Sequence, residues 1–380
     1  MSVMENKLVF QHEDFSRIPK DAYVRQDIYD LEMKKIFQGK TWHLVGHVSE
    51  IPNVGDYRTS HIGNVPIIIT RDKTEQVHVM VNSCAHRSAE VVRSNCGNTK
   101  QFQCLYHKWT YDLSGSLIGC PYKEDVPDGV NEEEMSLRKL KVEVFNNLIF
   151  ATFEKNMMPL EEYLGDVVDA ISGGLEDSKL VPIGSHKVVF NCNWKLYSEN
   201  IYDGYHTGML HAAFRILRMF AAGGEYTGSE HGSGYFSYKT LPIEENNILN
   251  DMSVFNKNKE LSYIMNIYPN TVVSTQLETI ALRYVRPVDI STTEVQFHYF
   301  ARESDSNEMR DLRIKQASNV FGPEGIITLE DAAALESVQK SIETEGQTII
   351  LKPTKEGKPP IYAEVGIRGF WKKWRELMEI

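Results

Sequence analysis

The chain has 380 residues, is 42% hydrophobic and 24% charged, and carries a formal net charge of -11. That length can bury two cores of ordinary size, while the acidic balance excludes a phosphate-tracking surface and with it nucleic acid as a partner. An odd count of five cysteines argues against a disulfide framework and for a reducing compartment.

The opening MSVMENKLVFQHEDFS has no basic-then-apolar leader, and no stretch reaches the apolar length of a membrane span, so a cytoplasmic protein without membrane contact is expected. Residues 1–40 read as a helical segment, through DAYVRQDIYDLEMKKIFQ to Gly39. From Thr41 the pattern changes to short β runs: HLVGHVSEI, PIIITRD, VHVMVNS, FQCLYHKWTYDL and LKVEVFNNLIFATF. Turn residues such as Pro52-Asn53 and Asn146-Asn147 separate them, which predicts an antiparallel β domain over residues 41–157. In residues 158–380 the strands HKVVFNCNWKL, TVVSTQL, IALRYVRPV and TEVQFHYFARE predict one larger antiparallel sheet. Helices around 197–222, 306–318 and 324–346 are expected to cover it, giving an α+β fold class. The last of the periodic stretches, RGFWKKWRELM, suits an amphipathic helix packing Phe370, Trp371, Trp374, Leu377 and Met378.

Two short mixed pairs stand in the β domain, Cys84-Ala85-His86 and Cys104-Leu105-Tyr106-His107. Two thiolates with two imidazoles are the ligand set of a Rieske [2Fe-2S] cluster, in which histidines replace cysteines on one iron and raise the reduction potential. Zinc uses the same four ligand types. Spacing separates the two, because a zinc finger puts two or more residues between its cysteines and pairs its histidines on a helix. Here each half is a mixed pair among strand-like residues, with a Ser114-Gly115 turn nearby. The stretches VNSCAHRSAEVV and FQCLYHKWTYDLSGSLIGCP resemble the Rieske domain of the aromatic-ring-hydroxylating oxygenases, with Arg87, Trp109 and Tyr111 fitting that pattern. Respiratory-chain Rieske proteins carry an extra disulfide at positions that hold Ala89 and Leu105 here, so Cys96, Cys120 and Cys192 are expected to be free thiols or small hydrophobes.

A second constellation lies in NWKLYSENIYDGYHTGMLHAAF, opened by Asn193-Trp194-Lys195, where His206 and His211 are five positions apart and Asp203 precedes them. A plain helix aligns positions four apart, so this spacing predicts a helix end or an interrupted turn. A carboxylate from elsewhere would complete the facial triad of a non-haem iron site. FGPEGIITLEDAAALESVQK offers Glu330, Asp331 and Glu336. The run D-x-x-H-x-x-x-x-H, followed by a distant FGP-x-G and an acidic pair, resembles the catalytic domain of the large (alpha) subunit of the same oxygenases.

That resemblance implies a helix-grip (START-like) catalytic domain over residues 158–380, with a curved antiparallel sheet and a mononuclear Fe(II) held by His206, His211 and Asp331. Glu330 is the alternative carboxylate. It also implies that Asp203 bonds both His206 and His107 of a neighbouring subunit, within a homotrimer, because the two centres of one chain are too far apart for rapid transfer. Electrons from NAD(P)H would arrive through a flavin reductase, a ferredoxin or both, and a small β subunit is left open. Asn200, Tyr202, Met209, Leu210, Phe214 and Leu217 are candidate pocket residues that equally suit the core, and Arg215 and Arg218 suit the surface or a subunit contact more than a pair with a substrate carboxylate. Likeness to the benzoate, anthranilate, salicylate and naphthalene branches implies dioxygenation or monohydroxylation of an aromatic or aromatic-acid ring. The alternative within the family is a Rieske monooxygenase that removes a methyl group from a quaternary amine or an ether.

Overall fold

The computed structural model describes residues 8–175, 179–212, 219–226, 230–240, 262–351 and 364–380; for 219–226 and 233–240 it describes the backbone only. The chain divides into two compact units, one comprising Met1–Ile36 with Leu164–Ile380 and the other Phe37–Tyr163.

Unit Phe37–Tyr163 is built from three small antiparallel sheets. One orders Lys141–Phe145, Leu148–Thr152 and His43–His47; a second orders Val77–Val81, Val65–Arg71, Asp56–Ile62 and Cys96–Asn98. The third is the short meander Phe102–Gln103, Thr110–Tyr111 and Leu117–Gly119. Asn146 and Asn147 both take positive φ, 46° and 63°, which gives the two-residue turn whose twist matches its flanking strands. Two other hairpin tips are built alike. Asp72 accepts from Thr74 N and Gln76 N, and Asp112 accepts from Ser114 N and Ser116 N, so each aspartate closes its own turn. Gly115 in the second tip has φ +83°, a conformation that a residue with a side chain would adopt only with strain, and a Cβ there would press on Met80 Sδ at 2.9 Å. Ile68, Met80, Val91, Val92, Phe102, Tyr111, Leu113 and Leu137 form the core, and Cys84 and Cys104 are buried among them.

The other unit is organised on a seven-stranded antiparallel sheet, ordered Leu180–Phe190, Thr292–Arg302, Ile280–Asp289, Thr271–Thr275, Ser262–Ile267, Ser233–Thr240 and Met219–Tyr226. Cross-strand partners share a face. The row His186, Phe297, Arg283, Val272 and Asn266 therefore lies on one side of the sheet. Helix Trp194–Tyr202 covers that side, with Asn266 Nδ2 donating to Ile201 O.

The expected helix over 197–222 is corrected. Helix Trp194–Tyr202 stops, a single turn spans Thr207–Leu210, and Met219–Tyr226 is a strand. Asp203 accepts from Tyr205 N at 2.6 Å and bends the chain just before Gly204 and His206, which is why the helix cannot continue. Residues 1–40 are likewise less uniformly helical than expected, because Arg17–Pro19 is a strand paired with Gln347–Ile349. Helices Asp21–Val24 and Gln26–Glu32 follow, and Met33–Phe37 is a π turn. Phe370, Trp371, Trp374 and Met378 are buried on helix Val365–Met378, as the periodicity predicts. Cys96, Cys120 and Cys192 are free.

A buried polar knot fixes the start of helix Trp194–Tyr202. Glu32 pairs with Lys195 at 2.7 Å, both side chains essentially without solvent, and accepts from the indole N–H groups of Trp194 and Trp374. Burial pulls the Lys195 ammonium below its ordinary pKa, and Glu32 opposes that pull. Asn193 caps the helix through Lys195 N and donates to Tyr23 O and Ile290 O. Glu199, one turn on, accepts from Tyr23 Oη and Trp371 Nε1. The Asn193-Trp194-Lys195 signature is thus a fastening of one helix to the N-terminal and C-terminal helices. Lys195→Met should destabilise this unit by about 3–5 kcal/mol, because it leaves a buried carboxylate without its cation, whereas Lys195→Met with Glu32→Leu should recover most of the loss. Melting followed by tryptophan fluorescence distinguishes the two variants; equal losses would contradict the pairing.

Candidate metal centres

In unit Phe37–Tyr163 two loops meet, and their hydrogen bonding is the same. Cys84 N donates to Ala89 O and Ser88 N to Cys84 O; Cys104 N donates to Trp109 O and Lys108 N to Cys104 O. Ser88 and Lys108 both take positive φ, 55° and 61°. The loops match although the histidine comes two residues after Cys84 and three after Cys104. The two thiols are buried, at 3% and 1% exposure, while His86 and His107 reach the surface. Their Nδ1 atoms converge to 3.1 Å, as two ligands aimed at one centre would. His86 stacks on Trp109 with centroids 5.2 Å apart. Local desolvation holds the His107 pKa below its ordinary value, and the charges of His86 and Arg87 add to this, favouring the neutral form that ligates. Tyr111 Oη lies 3.1 Å from Cys84 Sγ and accepts from Ala85 N, so a hydroxyl stands ready to tune the sulfur.

In the other unit, His206 and His211 flank the single turn Thr207–Leu210 as its two end residues. The break that interrupts the helix is therefore what lets two imidazoles five positions apart face one point. Asp331 meets them from helix Ile326–Ile342, its Oδ1 3.6 Å from His206 Nε2 and 3.5 Å from His211 Nε2. One ligand atom from each of the three lies within 4.8 Å of the others, as a single ion requires. Each imidazole is held from behind by a different carboxylate. His206 Nδ1 bonds Asp203 Oδ2 at 3.0 Å, and His211 Nδ1 bonds Glu330 Oε2 at 3.0 Å. This orients both Nε2 atoms inward. Glu330 also accepts from Ala212 N, and Asn200 Nδ2 donates to Asp331 Oδ1 at 3.3 Å.

Burial raises the pKa of Asp331, against the pull of His211, His206 and Asn200. Burial on its own would lower His206, but the Asp203 hydrogen bond and the charges of Asp203 and Asp331 outweigh it and leave the imidazole raised. A half-buried carboxylate facing two imidazoles is the donor set for a divalent cation. The FGP-x-G motif has a steric basis: a side chain on Gly322 would meet Ser318 O, and one on Gly325 would meet Val320 O. That tight turn sets where helix Ile326–Ile342 begins, and so where Glu330 and Asp331 point.

Residues 177–380 match the family described as the ring hydroxylating alpha subunit (catalytic domain), and residues 41–132 match the Rieske [2Fe-2S] domain. The chain belongs to the ring-hydroxylating oxygenase alpha subunits. It is 31% identical to the anthranilate 1,2-dioxygenase large subunit of Burkholderia cepacia, over 97% of this chain and 95% of that protein. It is 33% identical to a terephthalate 1,2-dioxygenase terminal oxygenase alpha subunit of Comamonas sp, over 96% and 95%. Naphthalene 1,2-dioxygenase from Rhodococcus sp., solved with indole, superposes with a TM-score of 0.80 at 25% identity, covering 95% and 94% of the two chains. A quaternary ammonium Rieske monooxygenase shares the fold, with a TM-score of 0.78 at 24% identity and the same coverage. As a member of this family, the chain is a Rieske non-haem iron oxygenase whose cofactors are a Rieske cluster and a mononuclear iron.

Of the pocket candidates, Asn200 reaches Asp331, Met209 is exposed at 57%, and Leu210 is part-buried. Tyr202 packs 5.6 Å from Phe370 and donates to Glu230 O, so its ring belongs to the core. Phe214, Leu217, Arg215 and Arg218 lie outside the described residues. Glu336, offered by the sequence as a carboxylate, accepts from Asn191 instead. The role of Glu330 behind His211 escaped the sequence; its only signal was adjacency to Asp331. Glu330→Gln should weaken iron binding about 10–100-fold with the cluster absorbance unchanged, read as iron retained against a chelator. Full retention would show that His211 needs no such support.

Proposed function

We propose that this chain is the terminal oxygenase component that hydroxylates an aromatic-acid ring, with Cys84, His86, Cys104 and His107 holding the cluster and His206, His211 and Asp331 holding the iron. The convergence of two imidazole Nε2 atoms on the half-buried Asp331 carboxylate carries the proposal. Bound there, Fe(II) would supply open coordination positions for O2, with the electrons for its activation delivered through the cluster. The aromatic acids named for the anthranilate and terephthalate relatives support the substrate class.

Asp203 is the residue proposed to link the centres. Its Oδ2 already orients His206, its Oδ1 is fixed by Tyr205 N, and its side chain keeps 15% exposure. His107 stands at the surface beside Leu105 and Tyr106, which are 48% and 54% exposed. A second subunit covering that surface would bring His107 to Asp203 of its neighbour, which fits a homotrimer. NAD(P)H-derived electrons enter by way of a flavin reductase, a ferredoxin or both, and a small β subunit is compatible with this arrangement. The described helices include none long and apolar enough to cross a membrane, which accords with a cytoplasmic enzyme.

Asp203→Asn should keep the cluster spectrum and the iron yet lower product formation by about 10²-fold or more, since it removes the charge that holds the His206 proton. Turnover at the wild-type rate would exclude the bridge. The function itself is tested by single turnover of chemically reduced protein under heavy-isotope O2 with aromatic acids, neutral arenes and quaternary amines, read by mass spectrometry. Labelled oxygen in a ring-hydroxylated acid is expected; product from a methyl-bearing amine alone would move the chain to the demethylating branch.

A further inference from the structure

Arg283 is a buried cation with no ion pair among the described residues. Its residue exposure is 8%, it stands mid-strand in Ile280–Asp289, and it shares the face that helix Trp194–Tyr202 covers. Nη2 donates to the neutral Gln276 Oε1 at 2.8 Å, and Nε is buried with no hydrogen-bond partner among the described residues. The guanidinium lies over the rings of Phe297 and Phe321, 5.1 and 5.6 Å from their centroids. Those contacts recover only part of what dehydrating a full charge costs. Its neighbour on the same face, Ser274, pairs with Ala281 two positions before Arg283, is fully buried, and its hydroxyl has no hydrogen-bond partner among the described residues.

The other buried lysine and arginine side chains described in this unit are paired. Lys195 has Glu32, and Arg313 has Asp305. An arginine left open beside a catalytic centre is instead suited to an anion that arrives with the substrate, because its planar fork matches a carboxylate in two parallel bonds. Phe321, under the guanidinium, opens the FGP-x-G turn from which the helix of Asp331 begins, and the helix over this face carries Asn200, which bonds Asp331, so this cation lies on the side of the sheet that faces the proposed iron site.

We propose that Arg283, assisted by Ser274, binds the anionic substituent of the substrate and so sets both the preference for aromatic acids and the orientation of the ring toward the iron. This rests on the ring-hydroxylating function proposed above and assigns the residue that selects its substrate class. A ring with a carboxylate would gain a charge-assisted pair in a dry site, whereas the corresponding amide would leave the guanidinium as it is now. A quaternary ammonium group would meet like charge there.

The test is calorimetric binding of benzoate, 2-aminobenzoate and terephthalate, against benzamide, to oxygen-free wild type, Arg283→Gln, Arg283→Lys and Ser274→Ala, with product analysis on the same set. Arg283→Gln should weaken binding of the acids by about 10²-fold and that of benzamide by less than about 3-fold, so retained amide binding certifies the fold. Arg283→Lys keeps the charge without the fork and should fall between; it decides the matter if the glutamine variant does not fold. Ser274→Ala should lose less. Acid binding unchanged in both arginine variants would overturn the assignment while leaving an aromatic-acid oxygenase in place. Wild type that oxidises neutral arenes or quaternary amines but no acid would overturn the proposed substrate class itself, and the role of Arg283 with it.

Discussion

Everything at the catalytic centre depends on one constraint: two imidazoles must present Nε2 to a single half-buried carboxylate. Left alone, an imidazole can rotate and can bind its proton on either nitrogen. Here the choice is removed from behind, since Asp203 and Glu330 each occupy an Nδ1 at 3.0 Å. Asp331 is then the unmatched negative charge at the point where the rings meet, and burial makes that charge costly until a cation shares it. The site has the donors to hold a metal ion, assembled from residues on two helices and one turn.

Placing those residues is the work of the surrounding fold. Helix Trp194–Tyr202 carries Asn200 and delivers the chain to Asp203, and its first turn is locked by the Glu32–Lys195 pair and the tryptophan N–H groups around it. Helix Ile326–Ile342 starts where the Gly322 and Gly325 turn allows, which brings Glu330 behind His211 and Asp331 in front of it. Two consecutive acidic residues thereby serve different tasks, one orienting and one facing the metal position. In the other unit the same economy holds: two loops with one hydrogen-bond pattern bury their thiols and bring their imidazoles to the surface, so a cluster held there would be insulated on its cysteine side and accessible on its histidine side.

Features that act over short stretches of chain were legible in the sequence. The mixed Cys/His pairs, the turn at Asn146-Asn147 and the apolar stripe of the last helix each declare themselves within about a dozen residues, because turn chemistry and periodicity are local. The five-residue spacing of His206 and His211 correctly announced a broken helix. Where that helix stopped was not legible, since the break is made by Asp203 turning back on Tyr205 N, and the residues that follow become a strand only by pairing with Ser233–Thr240. The buried charges were invisible for the same reason. Nothing near Lys195 in sequence predicts Glu32, and nothing in IALRYVRPV marks Arg283 as the member facing the helices, because both depend on partners far along the chain.

The most direct test of two separate iron centres in one chain is the ratio of iron to acid-labile sulfide in wild type and in Asp331→Ala. A two-iron, two-sulfide cluster plus one further iron predicts a ratio of about 3:2 in the wild type, falling to about 1:1 in the variant with the cluster spectrum intact. A wild-type ratio already at about 1:1 after loading with Fe(II), or one that Asp331→Ala leaves unchanged, would contradict the assignment of His206, His211 and Asp331 as a metal site.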